Sequence, residues 1–268
     1  MSHPSESWNQ QIEISEPLIV FLQEVETALV RVAGDPLQIK TIDLANWPVE
    51  ERRRVVSILG EGEISGSLRP CRNDGSQTFF IRESVYPGIW LVGNRPEGVN
   101  TGIILSRIEI GRAPEALIHT PKSSSLLESG GILPDNPTGV TLRSGLMNAL
   151  PLLQEAAHHL NVYDPKKKNH RIFLNKLPLS EADAQWIDLV CSDGRVDLRS
   201  KGYGDCQVHS TPFSGLWRIL YKNPEGIPLL DALCVADIPD EVAASPEDLS
   251  QSLTDFREFL KWVISDLS

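Results

Sequence analysis

Apolar residues recur at helical spacing in five stretches of the chain, and between these stretches they alternate with polar ones in shorter runs. Leu18, Phe21, Leu22, Val25 and Leu29 predict an amphipathic helix over residues 12–33, closed by Gly34. Val55, Ile58 and Leu59 predict a second helix behind Pro48, and Trp186, Ile187, Leu189 and Val190 another behind Pro178. A proline suits the first turn of a helix, because the N–H it lacks has no partner there. Ser180 to Asp183 add capping side chains to the later of these two helices, and Gly60 and Gly194 stand where each stops. A further helix is predicted from about Leu142 to Leu160, with Pro151 as a kink point. The last helix starts at Ser245-Pro246-Glu247-Asp248, a cap and a proline followed by acids over the positive dipole end. Leu249, Leu253, Phe256, Phe259, Leu260 and Val263 give it one apolar face. Period-two alternation and β-branched residues predict strands at Phe79–Ile81, Ile89–Leu91 and Ile103–Ile110, and again at Val208 and Leu216–Ile219.

These elements repeat. Glu83-Ser84-Val85-Tyr86-Pro87-Gly88-Ile89-Trp90 resembles Ser210-Thr211-Pro212-Phe213-Ser214-Gly215-Leu216-Trp217, and the two tryptophans set an offset of 127 positions. Downstream, Asn94-Arg95-Pro96-Glu97-Gly98 matches Lys222-Asn223-Pro224-Glu225-Gly226, and the segment at Ile108–Glu115 matches the one at Leu233–Asp240. Upstream, Trp47-Pro48-Val49-Glu50-Glu51 faces Leu177-Pro178-Leu179-Ser180-Glu181, and Gly62-Glu63-Ile64-Ser65 faces Gly194-Arg195-Val196-Asp197. The expected fold class is therefore α+β: two divergent copies of an α-β-β-β module with antiparallel strands, plus N-terminal, central and C-terminal helices. The expected division is an N-terminal arm and helix over 1–35, a first module over 36–118 and a linker with the central helix over 119–167. The second module with the C-terminal helix follows over 168–268. The linker rests on the Ser, Gly and Pro of residues 119–139.

At 268 residues, 41% hydrophobic, the chain is long enough for one large core or two modest ones. It has no apolar run approaching the roughly 20 residues of a membrane helix and no charged-then-apolar leader pattern at Met1–Gln11. Membrane insertion is thus not expected, and cytoplasmic residence is. The net charge of −11 opposes a polyphosphate backbone, so no nucleic-acid partner is expected; it favours a basic one. Arg52-Arg53-Arg54 and Lys166-Lys167-Lys168 read as solvated surface. Four cysteines without a CxxC pair (Cys71, Cys191, Cys206 and Cys234) read as reduced, structural thiols.

Searching for chemistry yields little. Gly60-Glu61-Gly62-Glu63-Ile64-Ser65-Gly66 lacks dinucleotide spacing and sets two glutamates where an anion would sit; Gly202-Tyr203-Gly204-Asp205 lacks a following Lys-Ser/Thr. Cys206 and His209, three apart on a predicted strand, point to opposite faces, and the repeat places Cys206 on Phe79, an apolar slot. His158-His159, late in a helix, reads as structural, so no metal site, cofactor or catalytic residue is expected. The turns Tyr86-Pro87-Gly88-Ile89-Trp90 and Phe213-Ser214-Gly215-Leu216-Trp217 read first as fold determinants, with pockets beside them open to a peptide.

At these residues a resemblance appears. Leu59-Gly60-Glu61-Gly62-Glu63-Ile64 and Ile81–Trp90 resemble the HupH/HyaF family of hydrogenase expression/formation proteins. So do Gly194-Arg195-Val196, Arg199-Ser200-Lys201-Gly202-Tyr203-Gly204-Asp205-Cys206, Ser210-Thr211 and the helix with Met147-Asn148-Ala149. The likeness spans about residues 36–265; Asp205 and Gln207 depart from the family's Asn and Arg, and Phe213-Ser214-Gly215 is shifted. It implies a non-enzymatic accessory protein for maturing the iron–sulfur small subunit of an uptake nickel–iron hydrogenase before export. The implied partners are that small subunit, with its twin-arginine signal peptide as a candidate contact, and a thioredoxin-like accessory protein. Glu61, Glu63, Tyr86, Pro87, Gly88, Trp90, Tyr203, Cys206 and Trp217 are the candidate partner-binding residues. The alternative is a redox or iron–sulfur handling assembly factor that uses Cys206.

Overall fold

A computed structural model describes residues 15–70, 78–94, 104–118, 145–192, 194–202 and 205–266. The elements are α1 (Glu16–Gly34), β1 (Lys40–Asp43), α2 (Val49–Leu59), β2 (Ile64–Leu68), β3 (Phe79–Glu83), β4 (Ile89–Asn94) and β5 (Ile104–Ile110). There follow α3 (Ala149–Asn161), β6 (His170–Phe173), α4 (Glu181–Cys191), β7 (Val196–Ser200), β8 (Asp205–Ser210), β9 (Leu216–Lys222), β10 (Pro228–Val235) and α5 (Pro246–Asp266). All ten strands join one antiparallel sheet in the order β1-β5-β4-β3-β2-β7-β8-β9-β10-β6. The α+β class expected from sequence is the one found.

The content of each half differs from the expected helix and three strands. Each has one strand before its helix (β1 or β6) and four after it. β1 and β6 are four residues long with a single buried residue each, Ile42 and Ile172, too little for a period-two pattern to show. The helix starts also shift. Pro48 sits at the cap of α2 rather than inside it, while α4 begins at Glu181 behind a capping box made by Ser180 and Asp183, leaving Pro178 outside. Pro151 falls in the first turn of α3, where it breaks no helical hydrogen bond and causes no kink. The linker expected at 119–139 lies outside the described residues.

Strand alternation sorts the core into three parts. Ile89, Leu91, Ile108 and Ile110 face one way and are covered by α1, α2 and α5. Leu216, Leu233 and Val235 face the same side of the sheet farther along and are covered by α3 and α4. The opposite face carries Trp90 and Trp217 with Ile64, Leu68, Ile81, Val196, Leu198, Val208 and Cys234, drawn from both halves, and among the described residues no α-helix covers it. It is covered by the sheet itself. Six strands separate β5 from β10, which in a flat sheet would set them about 34 Å apart. Yet Arg112, just past β5, forms an ion pair with Asp237, just past β10, and Ala244 N–H donates to the Arg112 carbonyl at 2.8 Å. The sheet therefore curls around its inner face, and the segments after β5 and β10 (Ala113, Leu117, Ile238 and Val242) plug the opening.

Candidate functional site

The segments that carry the family resemblance meet at one edge of the first half. α2 ends at Gly60, and Val85 N–H donates to the Leu59 carbonyl at 2.9 Å, so the turn after β3 folds over the helix end. There Val85 lies against Gly60 and remains 49% exposed. Gly62 N–H donates to the Glu83 carbonyl at 2.8 Å, which brings Glu61 and Glu63 beside the same turn. Glu61 is ion-paired with Arg82, and its side chain is 69% exposed. Glu63 is exposed, its carboxylate rests against Gly202, and its carbonyl accepts Lys201 N–H at 3.1 Å. The two stretches that resemble the family, more than a hundred residues apart in sequence, thus touch.

Within the turn, Ser84 Oγ donates to the Tyr86 carbonyl at 2.8 Å and accepts Tyr86 N–H at 3.0 Å. Gly88 takes φ +86°, a left-handed backbone that a side chain disfavours, and Gly215 takes φ +78° at the matching place in the other half. The first two turns of α5 pack on it: Ser252 Oγ donates to the Pro87 carbonyl at 2.8 Å, and Leu249 lies against Gly88. Glu83 is buried beneath, accepting Gly88 N–H at 3.3 Å. Burial above all pushes its carboxyl up to about 7; the Gly88 N–H works against this, while Glu63 and Asp248 add to it. The outcome is an acidic surface of Glu61, Glu63 and Asp248, with a protonatable carboxyl behind it and exposed Val85 and half-buried Pro87 beside it.

Of the residues expected from sequence, Glu61, Glu63, Tyr86, Pro87 and Gly88 come together here, and Tyr203 lies outside the described residues. The others present no surface. Trp90 and Trp217 are fully buried, each donating its indole N–H at 3.1 Å, to the Gly111 and Ala236 carbonyls respectively. Tyr86 packs edge-on against Phe256, with ring centroids 5.1 Å apart. Their part is to hold the turns. Cys206 is buried in the shared core, and burial, opposed by a hydrogen bond with Tyr221, pushes its thiol up to about 11. A thiol so buried and so weakly acidic stays protonated near neutrality, whereas a redox cysteine reacts as the thiolate. Burial thus favours a structural role for Cys206 over the redox alternative. Glu83, Val85 and Asp248 were not singled out from sequence; the signal for Glu83 was there, a carboxylate where the other half has Ser210.

No helix among the described residues is long and apolar enough to cross a membrane. The family model for the HupH hydrogenase expression protein, C-terminal conserved region, matches residues 146–263. The chain is 30% identical over 260 residues to the hydrogenase-1 operon protein HyaF of Escherichia coli, a match covering 97% of this chain and 86% of that protein. It is 32% identical over 221 residues to the hydrogenase expression/formation protein HoxQ of Cupriavidus necator, covering 81% of this chain and 72% of that one. A solved structure of the hydrogenase expression protein HupH from Thiobacillus denitrificans shares 29% identity over 44% of this chain and 96% of its own, with a TM-score of 0.38.

Proposed function

We propose, because this chain belongs to the HupH/HyaF family of hydrogenase expression/formation proteins, that it acts by binding the iron–sulfur small subunit of an uptake nickel–iron hydrogenase in the cytoplasm before export. Its client contact is the acidic surface at Glu61, Glu63 and Asp248, and its ligand there is the basic, then apolar, export signal of that subunit. A thioredoxin-like accessory protein works beside it. The observation that carries this reading is the chemistry of that surface: carboxylates lie beside exposed Val85 and half-buried Pro87, so one site offers anions to a guanidinium pair and an apolar contact to the residues that follow. The Glu61–Arg82 pair is exposed and exchanges readily, since exposed pairs are worth only about 0–1 kcal/mol. The long-range attraction of a chain of net charge −11 works in the same direction.

The test is co-purification of the tagged protein with the small subunit, made with and without its export signal. Capture that depends on the signal is expected, as is its loss by about tenfold in a Glu61→Lys/Glu63→Lys double variant that retains the parent's circular dichroism. Equal capture by the charge-reversed variant would remove the acidic surface from the interface. No capture of either form of the subunit would overturn the client assignment itself.

A further inference from the structure

The far end of the sheet from this surface holds a cluster that the family resemblance does not touch. Glu155 and His159 lie one turn apart near the C-terminal end of α3, so their side chains share a face. His170 opens β6, the edge strand against which that face sits. Its Nε2 is 2.8 Å from Glu155 Oε1, and its ring stacks on that of His159 with centroids 3.4 Å apart and planes 12° apart. His158 stands edge-on to His159, with ring centroids 5.3 Å apart, and is not one of the three. The ligand atoms of Glu155, His159 and His170 lie within 4.8 Å of one another, the one such group of three among the described residues.

We propose that Glu155, His159 and His170 bind one divalent transition-metal ion of the zinc class. Two imidazoles and one carboxylate are the donor set such ions take, and three protein ligands leave a position for water. The spacing suits an ion without rebuilding the backbone. Neighbouring ligands about 2.1 Å from a common ion stand about 3.0–3.4 Å apart, close to the 2.8 Å already separating Glu155 Oε1 from His170 Nε2. Turning the His159 ring out of its stack on His170 brings in its nitrogen, which already lies within 4.8 Å of the other two ligand atoms. The negative end of α3 also favours a cation at this place. A hydrogen-bonded Glu155–His170 pair alone would leave the stacked His159 without a part; an ion gives all three residues one. Bound there, it would tie α3 to the edge of the sheet.

The experiment uses the tag-free full chain after chelator treatment, titrated with Zn2+ by calorimetry and with Co2+ by visible absorption. One equivalent of Zn2+ should bind with a Kd of about micromolar or tighter, Co2+ should show the d–d bands of a low-coordinate site, and Zn2+ should raise the melting temperature. His159→Gln and His170→Gln should each weaken binding about tenfold or more and abolish the thermal shift, whereas His158→Gln and His209→Gln should leave both unchanged. Circular dichroism confirms that each variant is folded. Absence of saturable one-to-one binding, or binding that His159→Gln and His170→Gln leave intact, overturns the assignment.

Discussion

Glu83 is the residue at which the two halves part chemically. In the other half its place opposite a tryptophan is taken by Ser210, whose hydroxyl simply accepts Val196 N–H at 3.0 Å. Glu83 instead buries a carboxyl whose value is pushed up from 4.5 to about 7. A carboxyl raised on folding holds its proton more tightly in the folded chain than in the unfolded one. Its contribution is therefore greatest below the unfolded value near 4.5, falls as the pH rises, and levels off above about 7. The whole loss is bounded at about 3 kcal/mol. Glu83→Gln keeps an acceptor for Gly88 N–H and cannot ionise. It is expected to be more stable than the parent by about 2 kcal/mol at pH 8 and within about 1 kcal/mol of it at pH 5, in urea unfolding at the two values. An equal gap at both would show that the carboxyl does not titrate in this window. If the proposed client contact is correct, the same titration would alter the charge behind Glu61 and Glu63.

At the scale of elements, one carboxylate fastens two helices. Asp183 closes the capping box of α4 by accepting Ser180 N–H at 3.1 Å. Its other oxygen accepts the N–H groups of Met147, Asn148 and Ala149 at 2.9–3.0 Å, at the start of α3. Burial works to raise its value, but these four N–H donors outweigh it and hold the carboxyl well below the usual range. With the value depressed, the stabilisation is present at neutral pH and is lost only as the pH falls below the unfolded value near 3.8. Asp183→Ala strands all four donors and is expected to cost roughly 3–5 kcal/mol; Asp183→Asn keeps one acceptor and should cost about half of that. Chemical denaturation at pH 7 measures both, and a loss under about 1 kcal/mol for the alanine variant would contradict the double cap. The capping box could be read from sequence because Ser180 and Asp183 lie within four residues of each other; the bond to α3 could not, because it spans 34–36 residues. The same limit runs through the fold. Helices with five or six apolar residues on one face and strands around the paired tryptophans were legible, while β1 and β6, each with one buried residue, were not. At the candidate site the local turn was legible as a motif. That Gly202 comes to rest against Glu63 depends on the pairing of β2 with β7, which period and composition do not encode.

The whole molecule turns on that pairing. Among the described residues β2 and β7 are the only strands through which the halves are joined in the sheet, in register from Ile64 opposite Ser200 to Leu68 opposite Val196. On the outer face α1 and α2, joined by α5 from the end of the chain, back the first half and α3 and α4 back the second, whereas the inner core of Trp90, Trp217 and their neighbours is shared. Loss of the seam would thus leave two halves, each still backed by helices but each with an exposed apolar inner face. Gly66 lies at the centre of the seam opposite Leu198, and a Cβ there would stand 2.0 Å from the Asp197 carbonyl oxygen and 2.7 Å from the Leu198 Cα. These are backbone atoms of the partner strand, so the contact is relieved only by moving β7 away from β2. Gly66→Ala is expected to destabilise the chain by about 3 kcal/mol or more, far beyond an ordinary surface substitution. It should also split a single calorimetric transition into two, with a gain in binding of an apolar dye as the inner face opens. If the variant instead melts in one transition within about 1 kcal/mol of the parent, the strands can part slightly at no cost, and the cohesion of the molecule must reside in the curl, where Arg112 meets Asp237, rather than in the seam.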